Sequence, residues 1–296
     1  MIAVDWGTTS FRAYRLDAAG IVLKRREAPL GILAVKEGRF AEALESQVSD
    51  WLEHGEALIV MSGMIGSRQG WKEQAYVRCP AGAFELSAQL GSITWGMHGR
   101  RAWIVPGLIT RDAQGVHDVL RGEETQLIGV LDALGTGSHT VCLPGTHSKW
   151  VRIDDHRIVS FSTHMTGEMF AILRDHSILG RTMENTGDIP AAFDAGVARA
   201  REPGGLLHHL FGVRADSLAG MLTPEAAHEY LSGLLIGHEI ATVAPERGTV
   251  HLLGAASLTT RYERALSAAG CAVQLMDPDA AVRGLFRLAA GLAQRN

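Results

Sequence analysis

The stretch Asp5-Trp6-Gly7-Thr8-Thr9-Ser10-Phe11-Arg12 follows the apolar run Ile2 to Val4 and sets a carboxylate, a glycine and three hydroxyls within six residues. A second stretch, Pro144-Gly145-Thr146-His147-Ser148-Lys149, repeats its centre: both turns read G-T-x-S, both follow an apolar run, and both lead into another strand pattern. After a gap of one residue the match continues, with Arg15-Leu16-Asp17 over Arg152-Ile153-Asp154 and Ile21-Val22 over Ile158-Val159. Strand, small polar turn, strand, turn, strand, written twice, reads as a duplication.

Around these meanders the periodicity alternates between strand-like and helix-like, which predicts an α/β fold. Strands are expected at Ile2 to Val4, Phe11 to Leu16, Ile21 to Arg25, Ala57 to Met61, Ala102 to Pro106, Thr140 to Leu143, Trp150 to Ile153, Ile158 to Phe161 and Val250 to Leu253. Helices are expected at Phe40 to Leu52, Glu124 to Ala133, Met169 to His176, Pro224 to Ala241, Thr259 to Ala269 and Asp279 to Leu292. With 296 residues the chain is long enough for two domains, and their boundary is expected near Gly122 to Gly137.

Bulk properties exclude several classes. A composition of 46% hydrophobic and 20% charged residues is that of a globular protein, and a net charge of -4 offers no basic face for nucleic acid. No apolar stretch is long enough to span a membrane, and Asp5 interrupts what would be the core of a signal peptide, so a cytoplasmic protein is expected. Cys79, Cys142 and Cys271 are odd in number and lack C-x-x-C spacing, which speaks against both a disulfide framework and a thiolate zinc site. There is no G-x-x-x-x-G-K-[ST] and no G-x-S-x-G, and neither His208-His209 nor His238-Glu239 has H-E-x-x-H spacing.

The chemistry then rests on the turns. A glycine followed by hydroxyl residues leaves main-chain N-H groups pointing outward, an arrangement suited to phosphate oxygens. Tight hairpins also use Gly, Thr and Ser for conformation alone, so the pairing of two such turns carries the weight. Asp5, at the end of a buried strand, either caps its own turn or organises Mg²⁺ beside a polyphosphate. Val250 to Ser257, V-H-L-L-G-A-A-S, ends a strand in small residues before a helix, a place where α/β folds bind ligands and where small residues also serve packing. In Arg121-Gly122-Glu123-Glu124-Thr125-Gln126, a glutamate can take a proton from an attacking hydroxyl, or simply suit the start of a helix.

This order of segments resembles the phosphate, connecting and adenosine segments of the sugar kinase, Hsp70 and actin superfamily. D-W-G-T-T-S-F-R-A, M-S-G-M-I-G-S-R-Q-G-W-K, R-G-E-E-T-Q-L-I-G, P-G-T-H-S-K-W-V and L-S-G-L-L-I-G are similar in particular to the 2-dehydro-3-deoxygalactonokinase family. The resemblance covers nearly the whole chain. It implies two ribonuclease-H-like domains of the duplicated actin-like ATPase fold with a nucleotide cleft between them. Residues 1-122 would hold the sugar and 123-277 the nucleotide, with a terminal helix at 278-296 packing back on the first domain.

The activity implied is ATP-dependent phosphorylation of the 6-hydroxyl of 2-dehydro-3-deoxy-D-galactonate, with a related sugar-acid kinase, an ATPase or a phosphatase as the alternative. By position, Asp5 would organise Mg²⁺. Gly7, Thr8, Thr9, Ser10, Gly145, Thr146, His147 and Lys149 would attend the phosphates, and Gly254, Ala255 and Ser257 would border adenosine. Ser62, Gly63, Met64 and Gly66 fall in a sugar-contacting loop. Glu123 and Glu124, with Asp5, are the candidates for proton transfer. Arg12, Lys72 and Arg121 are the candidates for the substrate carboxylate. The partner is a small sugar acid, and a homo-oligomer is compatible with this reading.

Overall fold

The computed structural model describes residues 1–53, 58–97, 99–184, 189–245 and 248–293. Its first elements are the meander of β1 (Ile2–Trp6), β2 (Phe11–Leu16) and β3 (Val22–Ala28), paired antiparallel with Trp6 opposite Phe11 and Asp5 opposite Arg12. The first strand runs two residues beyond the apolar run, so Asp5 stands within the sheet. Helix α1 (Phe40–Glu53) turns Phe40, Leu44, Val48 and Trp51 inward, the spacing of a helix with one buried face.

Strand β4 (Ile59–Gly63) lies parallel to β1 and places Ser62 beside Asp5. Ala57, where this strand was expected to begin, lies outside the described residues. There follow β5 (Val77–Arg78), α2 (Ala83–Ala88), β6 (Gly91–Trp95), β7 (Arg100–Ile104), β8 (Leu108–Arg111), β9 (His117–Leu120) and α3 (Glu123–Leu134). The large sheet has the order β3-β2-β1-β4-β7-β6, while β5, β8 and β9 form a small separate sheet.

The second half opens with β10 (Ser138–Leu143), β11 (Ser148–Asp154) and β12 (Arg157–His164), followed by α4 (Thr166–His176), α5 (Pro190–Arg199), α6 (Gly205–Leu218) and α7 (Pro224–Val243). It closes with β13 (Thr249–Leu252), α8 (Ala256–Ala268), β14 (Ala272–Leu275) and α9 (Ala280–Ala293). Its sheet has the order β12-β11-β10-β13-β14, with β10, β13 and β14 parallel. In both large sheets, then, the meander lies in the order third, second, first, and the next parallel strand adds beside the first. The two sheets are alike, as the repeat predicts, and have the ribonuclease-H-like strand order that the family resemblance implies.

Two compact units result. One comprises Met1–Ser138, Arg152–Phe161 and Asp277–Asn296; the other comprises His139–Val151 and Ser162–Met276. Residues 152–161 group with the first unit because Ala81 and Ile158 form a bridge and Arg157 pairs with Glu85 at 2.8 Å. Within that unit α9 packs along α3, and Arg283 Nε donates to the carbonyl of Gly129 at 3.3 Å.

Several elements escaped the sequence pattern: α2, α5, α6, β6, β14 and the whole small sheet. In α6 the reason is visible, because Leu207, Phe211 and Leu218 are exposed while His209, Leu210 and Val213 are buried. Apolar residues on both faces erase the period that would reveal the helix. Among the described residues no helix is long and apolar enough to cross a membrane.

Candidate active site

The turn between β1 and β2 closes with Gly7 N-H on the Ser10 carbonyl at 2.9 Å, leaving Thr8 and Thr9 exposed. The chain at 31–33 buttresses it from outside, with Ile32 N-H on Gly7 O at 3.0 Å and Leu33 N-H on Thr8 O at 3.3 Å. The carbonyls of Gly7, Thr8 and Ser10 are thereby occupied by protein, while among the described residues the amides of Thr8 and Thr9 meet no protein acceptor. That is an anion-binding polarity.

Asp5 sits just behind this turn. Burial raises its carboxyl above the ordinary value, against the pull of Arg12, whose Nη1 donates to Oδ2 at 3.3 Å. Gly63, at the end of β4, has φ +92°, and a Cβ there would lie 2.7 Å from Trp6 O and 3.4 Å from Asp5 Oδ1. Gly122, which caps α3 with φ +112°, would put a Cβ 3.3 Å from the Cα of Gly63. The two glycines let three main-chain ends converge: β1 with Asp5, β4 with Gly63, and α3 with Glu123 and Glu124.

The two glutamates are not equivalent. Glu124 is wholly buried; Gly122 N-H donates to its Oε2 at 2.6 Å, and its Oε1 has no hydrogen-bond partner among the described residues. Burial, with the neighbouring charge of Glu123 second, pushes its carboxyl up to about 8. Glu123 is only half-buried and accepts Arg121 N-H at 3.0 Å.

Of the three candidate cations, Arg12 is engaged with Asp5, and Lys72 donates to the Ser92 carbonyl at 2.9 Å. Arg121 is held by one corner, with Nη2 on Gln74 O at 2.8 Å and the guanidinium 4.4 Å above the Tyr76 ring. Its Nε and Nη1 are buried without a protein partner among the described residues. In the expected sugar loop Met64 is half-buried, while Ser62 and Gly66 are buried, and Thr125 Oγ1 donates to Ser62 Oγ at 3.5 Å.

In the second unit the turn Gly145–His147 has the same exposure, with Thr146 and His147 outward. Helix α4 buttresses it: Glu168 N-H donates to Thr146 O at 2.9 Å, and the carboxylate of Glu168 pairs with His147. Gly167 makes this approach possible, because a Cβ there would lie 2.5 Å from Gly145 O. Lys149 is instead turned inside, buried and donating to Thr163 Oγ1 at 2.7 Å. Gly254 lies close to the Pro144 carbonyl, and Ala255, which caps α8, and Ser257 are exposed beside it. Next to the turn is a cavity of about 200 Å³, walled by Phe170, Leu235, Ile236 and Leu258, with Arg174 and His228 also on its lining.

A family model described as 2-keto-3-deoxy-galactonokinase matches residues 5–288. The chain belongs to this family. An Escherichia coli (strain K12) 2-dehydro-3-deoxygalactonokinase is 39% identical over 292 residues, covering 97% of this chain and 96% of the relative. A Rhizobium meliloti (strain 1021) protein assigned the same activity is 40% identical over 295 residues, covering 97% and 95%. A crystal structure from Sinorhizobium meliloti, also assigned as a 2-dehydro-3-deoxygalactonokinase, superposes with a TM-score of 0.87 at 38% identity, covering 99% of this chain and 98% of the other.

Sequence reasoning placed the family's turns but missed the cavity. Phe170, Arg174, His228 and Leu258 come from three helices, and no local spacing links them. One signal was available: Thr166-Gly167-Glu168 puts a glycine in the first turn of α4, an unfavourable place for it unless another backbone must come close.

Proposed function

We propose that the chain is an ATP-dependent kinase that phosphorylates the 6-hydroxyl of 2-dehydro-3-deoxy-D-galactonate. The observation that carries this reading is the convergence in one unit of Asp5, the Gly63–Gly122 contact and the start of α3, beside a turn whose Thr8 and Thr9 amides meet no protein acceptor among the described residues. A terminal hydroxyl bound there meets a carboxylate and a phosphate-binding turn together. Phosphoryl transfer asks for little more than such positioning and charge stabilisation.

Glu123 is the group we assign to the hydroxyl proton. A general base must touch its substrate, and Glu124 is sealed in the core with one oxygen capping Gly122. Arg121 is assigned to the substrate carboxylate, since it alone of the three cations keeps buried donors without a protein partner among the described residues.

The turns Gly7–Ser10 and Gly145–His147 each offer amides to phosphate oxygens, and the cavity beside Gly145 takes the base between its apolar walls. Among the described residues there is no cluster of three or more His, Cys, Asp or Glu that would hold a metal unaided. A lone Asp5 fits Mg²⁺, an ion that keeps its waters and takes further ligands from phosphates. What Mg²⁺ supplies when bound is neutralisation of phosphate charge.

The test is ADP release by the purified protein with 2-keto-3-deoxygalactonate, 2-keto-3-deoxygluconate and simple hexoses offered in turn. Release that depends on the galactonate derivative is expected; ATP turnover indifferent to all of them would return the protein to an ATPase. If Glu123→Gln turned over near the wild-type rate, the base assignment would be withdrawn.

A further inference from the structure

Beneath the second turn lies a buried carboxylate with no part in the chemistry above. Glu239, on α7, is almost wholly buried and receives three hydrogen bonds. Trp150 Nε1 donates to Oε1 at 2.7 Å, while Tyr262 Oη, at 2.8 Å, and the Thr166 hydroxyl donate to Oε2. Its two oxygens thus tie together three side chains, all of them neutral. Burying a carboxyl group this way is costly compared with an apolar side chain of the same size.

Each donor arrives from a different element, and each element touches the turn or its cavity. Trp150 stands on β11, two residues beyond Ser148. Thr166 opens α4, whose Gly167 and Glu168 press against Gly145 and Thr146. Tyr262, on α8, also meets Ser148 Oγ at 2.7 Å, and both Thr166 and Tyr262 line the cavity. With the Tyr262 hydroxyl donating to Glu239, Ser148 donates to Tyr262, and the chain Ser148 to Tyr262 to Glu239 ties β11 and α8 to α7.

We propose that Glu239 is a positioning residue for nucleotide: it fixes where β11, α4 and α8 meet, and so holds the Gly145–His147 turn in its phosphate-receiving form. This rests on the reading that the turn binds nucleotide phosphates. Electrostatics alone argues the opposite sign. A carboxylate near a polyphosphate site repels the ligand, so if charge were its only influence, removing it would tighten ATP.

The experiment is steady-state kinetics with both substrates varied, on wild type, Glu239→Gln, Tyr262→Phe, Thr166→Val and, as a control on the turn itself, Thr146→Pro. Each protein is first checked by thermal unfolding. Glu239→Gln is expected to raise KM for ATP about ten-fold while KM for the sugar acid stays within about two-fold. Tyr262→Phe and Thr166→Val, which keep the carboxylate and lose one donor each, are expected to raise KM for ATP by smaller factors and stand in should the Gln variant not fold. A fall in KM for ATP in Glu239→Gln, or an equal rise for both substrates, overturns the proposal. If Thr146→Pro weakens ATP and none of the other three does, the turn reading stands and the role of Glu239 is lost. If Thr146→Pro also leaves ATP untouched, the turn reading fails first and the proposal with it.

Discussion

The two G-T-x-S turns share a sequence and a pattern of exposure, yet their surroundings differ in kind. The first has Asp5 two residues before its glycine; the second has Leu143 at that place. The first is buttressed by Gly31 and the single 3-10 turn Ile32–Ala34, the second by the N-terminal turn of an α-helix. The first is followed by Arg12, paired with Asp5; the second by Lys149, turned into the core. Duplication supplied two turns that we assign to phosphate oxygens. Only the first has an aspartate two residues before its glycine and the start of α3 beside it, whereas the carboxylate at the second, Glu168, is paired with His147, so chemistry is assigned to the first and grip to the second.

The sharpest way to break this division is Glu123→Gln. It is expected to lower kcat by roughly 10²–10⁴ while KM for ATP changes little. A variant that instead lost ATP affinity at unchanged kcat would move proton transfer elsewhere. Next comes Asp5→Asn, expected to lower kcat by about 10²-fold and to raise the Mg²⁺ concentration needed for half-maximal rate. Titrating Mg²⁺ at saturating ATP separates these effects, and an unchanged Mg²⁺ requirement would reduce Asp5 to a turn cap.

Glu124→Gln tests the buried neighbour through stability. The Glu124 carboxyl is pushed from about 4.5 up to about 8 by burial, so between these values the folded protein keeps a proton that the unfolded chain releases. Stability therefore falls as pH rises through that window, by about 1.4 kcal/mol per pH unit from this group. Gln cannot titrate, so denaturant melts of the variant between pH 5 and pH 8 should lose this component of the slope. The smallest effect is expected from His147→Ala, which frees Glu168 at the rim of the second turn. KM for ATP should rise about two- to five-fold, the range of an exposed ion pair.

Much of this was legible in the chain. The repeated G-T-x-S and the matched Arg-x-Asp after it foretold two equivalent meanders, and both sheets have the strand order that such meanders produce. The segment R-G-E-E marked the start of α3, because glycine followed by acids suits a helix N-terminus. What the pattern left open was which acid faces inward, since adjacent positions on a helix point about 100° apart and only packing tells which one enters the core. The three cations were likewise alike on paper. Lys72 and Arg12 are distinguished from Arg121 by a carbonyl and a carboxylate that lie close in space, one of them 20 residues away in sequence. Glu239 was hidden altogether, for its partners are spread from Trp150 to Tyr262.

The contact between Gly63 and Gly122 bears on how this family can vary. With no side chain on either residue, the spacing between the end of β4 and the start of α3 is set by main chain alone, and mutation has no dial with which to adjust it. A saturation library selected for growth on the sugar acid should therefore return glycine at both positions, while accepting variety at the exposed Thr8 and Thr9. Divergence toward other sugar acids would have to proceed through residues other than these two, leaving the close approach of strand and helix in place.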